Sequence, residues 1–206
     1  METTNINKSG EIEGGLEALI ARAQHSEKGL PPVEKWNPPF CGDLDMRIAR
    51  NGLWYYMGTP IGRESLVRLF STVLRKDEDG KTYLVTPVEK IGITVEDAPF
   101  VAVELNASGT GSNQVITLRT NVGEVITVGP DNPLRFEDED ETEGVKPYVH
   151  VRGRLDALLA RPLLYQLVDI GEVQDVEGVA MFGVSSQGEF YPIMEEAALE
   201  RAIASD

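Results

Sequence analysis

Residues 41–74 read CGDLDMRIARNGLWYYMGTPIGRESLVRLFSTVL. Two alternating runs flank Asn51-Gly52, a residue pair that tolerates the positive φ angles of a tight hairpin. With those two residues as the loop, Arg50 faces Leu53, Ile48 faces Tyr55, Met46 faces Met57 and Leu44 faces Thr59, on one mostly apolar face. The other face then carries Asp43, Asp45 and Arg47 on the outgoing strand, with Trp54 and Tyr56 on the return strand. Two carboxylates, a guanidinium and two rings suit a planar ligand that is stacked on its face and hydrogen-bonded at its edge. The stretch shows no catalytic machinery, so it points to binding before it points to a reaction.

Reading outward, Thr59-Pro60 has the form of a helix start, with Thr as N-cap and Pro at the first helical position. Leu66, Leu69, Phe70 and Val73 then mark one face of a helix ending near Arg75. Upstream, Leu16, Leu19, Ile20 and Ala23 predict a short helix over 14–26, and GLPPVEKWNPPF (29–40) is an extended connection because its prolines exclude helix. Downstream of a turn at Asp79-Gly80, β segments are expected near 82–88, 91–96, 99–105, 113–119 and 123–128, then at Leu134–Glu137 and Lys146–Val151. A helix near 154–168, interrupted at Pro162, precedes a hairpin over 179–192 with its turn at Gln187-Gly188, and a last helix starts near Met194. A weak repeat is visible: Gly62-Arg63 and Gly153-Arg154 each follow a hairpin and precede a helix, 91 positions apart. Ancestral duplication and chance both account for it.

The chain has 206 residues, enough for one large domain or two small ones, and a net charge of −15. Binding a nucleic-acid polymer or an anionic membrane draws on clustered Lys and Arg, and no such run exists, so both are excluded as partners. No apolar run approaches the ~18–20 residues of a membrane span. The single cysteine, Cys41, has no internal disulfide partner. The N-terminus lacks the apolar core of a signal peptide, so the expected location is cytoplasmic. His25, His150 and Cys41 have no metal-ligand spacing, so no metal is expected. Cofactors are undetermined.

The strings CGDLDMRI, LWYYMGTPIGRESLVRLFSTVLR, YLVTPVEKIGI, DAPFVAVEL, TNVGEVITVG and PYVHVRGRLDAL, in that order, resemble the uncharacterised bacterial family named domain of unknown function 1285, from about Trp36 to Leu167. The resemblance implies an α+β fold: a duplicated core of strands and helices whose C-terminal half is superficially pleckstrin-homology-like. It further implies a ligand site between the halves, for a nucleotide-like molecule, with a role in signal transduction. The expected organisation is an N-terminal helix and Pro-rich connection (1–38), a first α+β unit (39–98) and a second (99–206).

Each candidate site has two readings. The Asp43, Asp45, Arg47, Trp54, Tyr56 face is either a ligand wall or a surface ion pair beside aromatics covering the sheet. Lys90, at the end of Thr86-Pro87-Val88-Glu89-Lys90, reaches an anion or pairs with Glu89. Asn121 contacts a ligand or holds a turn. In the second unit Tyr148, His150 and Arg152 share a strand face by alternation, and Arg135, Tyr148 and Arg152 form the wall opposite the first. Ser108–Ser112 is Gly-rich but lacks the Lys and the following helix of a phosphate loop. The leading expectation is a binding protein for a small nucleotide-like or anionic ligand, with a signalling partner. A nucleotide hydrolase or transferase using Asp43 or Asp45, and a protein-interaction module, are the alternatives.

Overall fold

A computed structural model of the chain describes Ile20, residues 29–139 and residues 144–204. The helix expected over 14–26 lies outside these apart from Ile20. The chain divides into two compact units between Asp97 and Ala98. Both are built mostly of strands, with few helices.

In the first unit β1 (Phe40–Ile48), β2 (Trp54–Tyr56) and β3 (Thr59–Pro60) form one antiparallel meander. Helix α1 (Glu64–Thr72) leads to a second meander of β4 (Leu74–Lys76), β5 (Thr82–Val85) and β6 (Lys90–Val95). The first and last strands meet in parallel at the centre, giving the order β3-β2-β1-β6-β5-β4. The face toward α1 is apolar: Met46, Ile48, Trp54, Leu74, Leu84 and Ile91 are buried there, with Trp54 stacked on Phe70 at 6.2 Å. Thr59-Pro60 is not a helix start. Met57 and Gly58, at φ 47° and 74°, turn the chain so that Tyr56 pairs with Thr59, and the helix begins only at Glu64.

The second unit repeats the plan. β7 (Phe100–Ser108), β8 (Val115–Thr120) and β9 (Val125–Thr127) form one meander, and β10 (Leu134–Glu139), β11 (Gly144–Arg152) and β12 (Leu155–Leu159) the other. β7 and β12, first and last, pair in parallel at the centre of the order β10-β11-β12-β7-β8-β9. Phe40 and Phe100 therefore open equivalent strands. The duplication is real, but its register differs from the 91-position spacing of the Gly-Arg pairs. Gly153, at φ 55°, turns β11 into β12, and no helix follows it directly. The expected helix over 154–168 is half strand: β12 ends at Leu159 and α2 (Arg161–Asp169) starts afterwards, with Pro162 in its first turn, where a missing N–H costs nothing.

A three-stranded sheet of β13 (Glu172–Val176), β14 (Val179–Ser186) and β15 (Glu189–Glu195), then α3 (Glu196–Ala204), completes this unit. The β14–β15 turn at Gln187-Gly188 is where the sequence predicts it. Ser186 joins this sheet to the larger one: its Oγ donates to the Val128 carbonyl (2.7 Å) and accepts from the Ile116 N–H (3.0 Å). No described helix is long and apolar enough to cross a membrane.

Candidate functional site

The first hairpin differs from its predicted register by one residue. Ala49 N–H donates to the Leu53 carbonyl and Gly52 N–H to the Ala49 carbonyl, so the loop is Arg50-Asn51-Gly52, with Gly52 at φ 79°. This is a type I turn followed by a left-handed glycine, the three-residue alternative to a two-residue turn. The Asn51 side chain fixes it by accepting from the Leu53 N–H (3.1 Å). The same bond pattern recurs at Asp77–Lys81 and Thr120–Glu124, closed by Gly80 and Gly123.

A one-residue shift exchanges the faces of the return strand. Ile48 now pairs with Trp54, Arg47 with Tyr55 and Met46 with Tyr56. Trp54, predicted as an exposed stacking ring, is 1% exposed in the core, and Tyr56 is on its side of the strand. The polar face keeps Asp43, Asp45 and Arg47 and acquires Tyr55, whose ring lies 4.3 Å under the Arg47 guanidinium. Arg47 also pairs with Glu96. The backbone N–H of Arg50 and the Arg47 guanidinium hold the Glu96 carboxyl below its ordinary range.

Further along this face, Lys90 sits 4.5 Å over the Tyr83 ring and donates to Asp77 (2.9 Å), not to Glu89. Asp77 also receives the Arg75 guanidinium (2.6 Å). Partial burial pushes the Asp77 carboxyl up, but the bonds from Arg75 and Lys90 outweigh it and leave it below the usual value. Tyr83 donates to Asp79 (2.5 Å), and that bond, with burial and the nearby carboxylates including Asp43, pushes the phenol up to about 12. In a titration followed by phenolate absorbance, Tyr83 should ionise about two pH units later than an ordinary tyrosine. Asp79→Asn should bring it back toward 10, and an unchanged late phase in that variant would show that Asp79 is not the cause.

Between Asp43 and Tyr83 lies Gly92, paired in register with both. A glycine within a strand leaves a gap in the side-chain layer. Here the Asp43 carboxylate leans over the gap, and a methyl group at Gly92 would overlap its Oδ1. The resulting hollow, about 420 Å³, is lined by Asp43, Gly80, Lys81, Gly92 and Thr94 among others. Asp43 has no hydrogen bond or ion pair among the described residues, in contrast to the cations around it.

In the second unit Arg135 lies 4.3 Å over Tyr148, its cross-strand neighbour, and is bound by Asp156 (3.0 Å) and Glu137. His150 Nδ1 stands 3.4 Å from Asp156. Arg152 is set apart by a bulge after His150, pairs with Glu124 (2.5 Å) and lies 5.1 Å over Phe100. Asn121 holds the backbone: its Oδ1 accepts from Val101 N–H, and its own N–H donates to the Val101 carbonyl. Thr86–Glu89 forms the turn between β5 and β6. Thus each of the four predicted anion-binding cations is already flanked by a ring and a carboxylate. Among the described residues no group of His, Cys, Asp and Glu is arranged to hold a metal ion. Sequence reasoning missed Tyr55, Arg75, Asp77, Tyr83, Gly92 and Glu96; a glycine inside the run KIGITV was the legible signal for the hollow.

Comparison with known proteins agrees with this architecture. The family described as "Domain of unknown function (DUF1285), N-terminal domain" matches residues 31–98, and "Protein of unknown function (DUF1285), C-terminal domain" matches 99–193. A crystal structure of a DUF1285 family protein from Silicibacter pomeroyi DSS-3 is 50% identical, covers 89% of this chain and 98% of its own, and superposes with a TM-score of 0.81. A second, from Shewanella baltica OS155, is 26% identical over 60% of this chain and 90% of its own, with a TM-score of 0.48. No curated protein matches.

Proposed function

Because the chain belongs to the DUF1285 family, whose own description is one of unknown function, its role has to be argued from its surface, and we propose that the first unit binds a small polar ligand in the hollow over Gly92 without turning it over. The observation that carries this reading is the Asp43 carboxylate, uncommitted among the described residues, beside a gap that the strand's only glycine creates. A carboxylate in that position accepts from an amino group or a pair of hydroxyls. Thr94 and Lys81, on the same lining, offer a hydroxyl and an ammonium to the ligand's other end.

A nucleotide-like ligand is the narrower form of the proposal. It asks Arg47 or Lys90 to exchange Glu96 or Asp77 for a phosphate, and asks a ring now covered by a cation to stack a base. In the second unit, the sheet followed by a C-terminal helix supports the superficial pleckstrin-homology likeness, and with it a signalling role for ligand binding.

Gly92→Ala tests the site cleanly. Its backbone is not in the left-handed region, and the overlapping group is the end of a flexible side chain, so the variant should fold while Asp43 is displaced and the hollow filled. Amines, polyols and nucleotides would be screened by thermal shift. Binding to the native state alone stabilises by about 2.7 kcal/mol at a hundredfold excess over Kd. A shift by an amine or polyol in the wild type, absent in Gly92→Ala and in Asp43→Asn, is the expected result. A nucleotide shift lost in Arg47→Ala but kept in Asp43→Asn would select the narrower form. If no compound shifts the wild type, the ligand-binding reading fails.

A further inference from the structure

The segment from α2 to α3 has a charge unlike the rest of the chain. Residues 162–200 contain eight acidic residues and no lysine, arginine or histidine. Within it, β13 is an edge strand. It pairs with β14 on one side and has no strand neighbour on the other among the described residues. An open edge presents unpaired N–H and C=O groups, a template for one more strand. The chain on either side of this edge also exposes apolar side chains. Tyr165 and Val168, three residues apart on α2, are exposed, as are Val173 on β13 and Val179 across the next turn. Of eleven exposed large hydrophobic side chains in the described residues, these four fall within fifteen residues of sequence.

We propose that β13 is a docking edge for an extended, basic protein segment with an aliphatic residue two positions from a lysine or arginine, which adds as a fourth strand. Charge selects this occupant. A second copy of the same edge would bring Glu172 and Asp175 of both copies together and supply no cation to either, whereas an opposite charge across a strand pair stabilises it. Nucleic acid and anionic lipid are repelled by the same carboxylates. A strand carrying Lys or Arg opposite Asp175 and an aliphatic residue opposite Val173 meets both complementary charge and apolar area, because Val173 and Asp175 point to the same side of β13. Main-chain bonds along the edge supply affinity, and alternate side chains supply selection, as in other strand additions.

The probes are two blocked hexapeptides, Lys-Thr-Val-Thr-Lys-Thr, whose lysines and valine share one face of a strand, and its counterpart Glu-Thr-Val-Thr-Glu-Thr, titrated into the full chain. The basic peptide should bind and the acidic one should not. Affinity should fall on the order of tenfold between 50 and 500 mM salt, because exposed charge pairs are screened over that range. Amide hydrogen exchange should slow along β13. Val173→Lys, on an exposed position, should weaken the basic peptide at least tenfold with an unchanged melting temperature; Asp175→Asn, which keeps an acceptor for the Gly178 N–H, should weaken it less. Equal binding of both peptides, protection elsewhere than β13, or no binding of the basic peptide at millimolar concentration would each overturn the proposal. None of these outcomes depends on the hollow over Gly92.

Discussion

Trp54→Ala should cost about 3–5 kcal/mol, the range for removing a large buried aromatic ring, measured as the loss of stability in urea unfolding followed by a probe in the first unit. Trp54 is 1% exposed, stacks on Phe70 of α1 and pairs across the hairpin with Ile48. Tyr55→Ala, one residue on, removes a half-exposed ring under an arginine, and should cost about 1 kcal/mol or less. The pair of substitutions reads the hairpin register directly. A two-residue loop at Asn51-Gly52 would put Trp54 on the polar face and reverse the order of the two effects. A small loss for Trp54→Ala with a large one for Tyr55→Ala would therefore reject the observed pairing.

Arg75→Ala should be comparably severe, about 3–5 kcal/mol, the usual consequence of removing one partner of a buried charged network. The Arg75 side chain is 9% exposed. It donates to Asp77 and to the carbonyls of Val33 (2.9 Å) and Trp36 (2.7 Å), and so fastens the Pro-rich connection to the edge of the first sheet. Truncation strands the Trp36 carbonyl, leaves the Val33 carbonyl with only the Trp36 N–H, and leaves Asp77 with Lys90 alone. Arg75→Lys should recover only part of the loss, because an ammonium cannot match the planar fork that serves three acceptors at once. The network also has an acid signature. The folded Asp77 pKa lies below its ordinary 3.8. Its contribution is therefore present above that value and lost as pH falls through the lower, folded one. Stability of the wild type should drop as pH falls below about 4, and the drop should be shallower in Arg75→Ala. An equally steep drop in the variant would place the acid sensitivity elsewhere.

The positions of most strands were legible because alternation and turn residues are local properties. Gly80 and Gly188 each close a turn where the sequence places one. The errors arose where two local solutions were close in energy. Asn51-Gly52 fits a two-residue turn or the end of a three-residue one, and only the surrounding packing, which demands Trp54 beneath α1, separates them. Thr59-Pro60 fits a helix start, yet the turn at Met57-Gly58 commits those residues to a strand first. Leu155–Leu159 carries helix-compatible residues but has a parallel partner in β7, with Ala157–Leu159 paired to Phe100–Ala102 fifty-seven residues earlier, which no local window contains.

The candidate site divides in the same way. Asp43, Asp45 and Arg47 share a face by strand periodicity alone, and that much was determined by the amino-acid order. Which groups satisfy Arg47, Lys90, Arg135 and Arg152 was not, because Glu96 lies 49 residues from Arg47, and Asp156 lies 21 from Arg135. Alternation fixes the side of a sheet toward which a residue points. The partner it meets there depends on which strands become neighbours, and in this chain the central neighbours are the first and last strands of each six-stranded sheet, brought together only when the whole sheet closes.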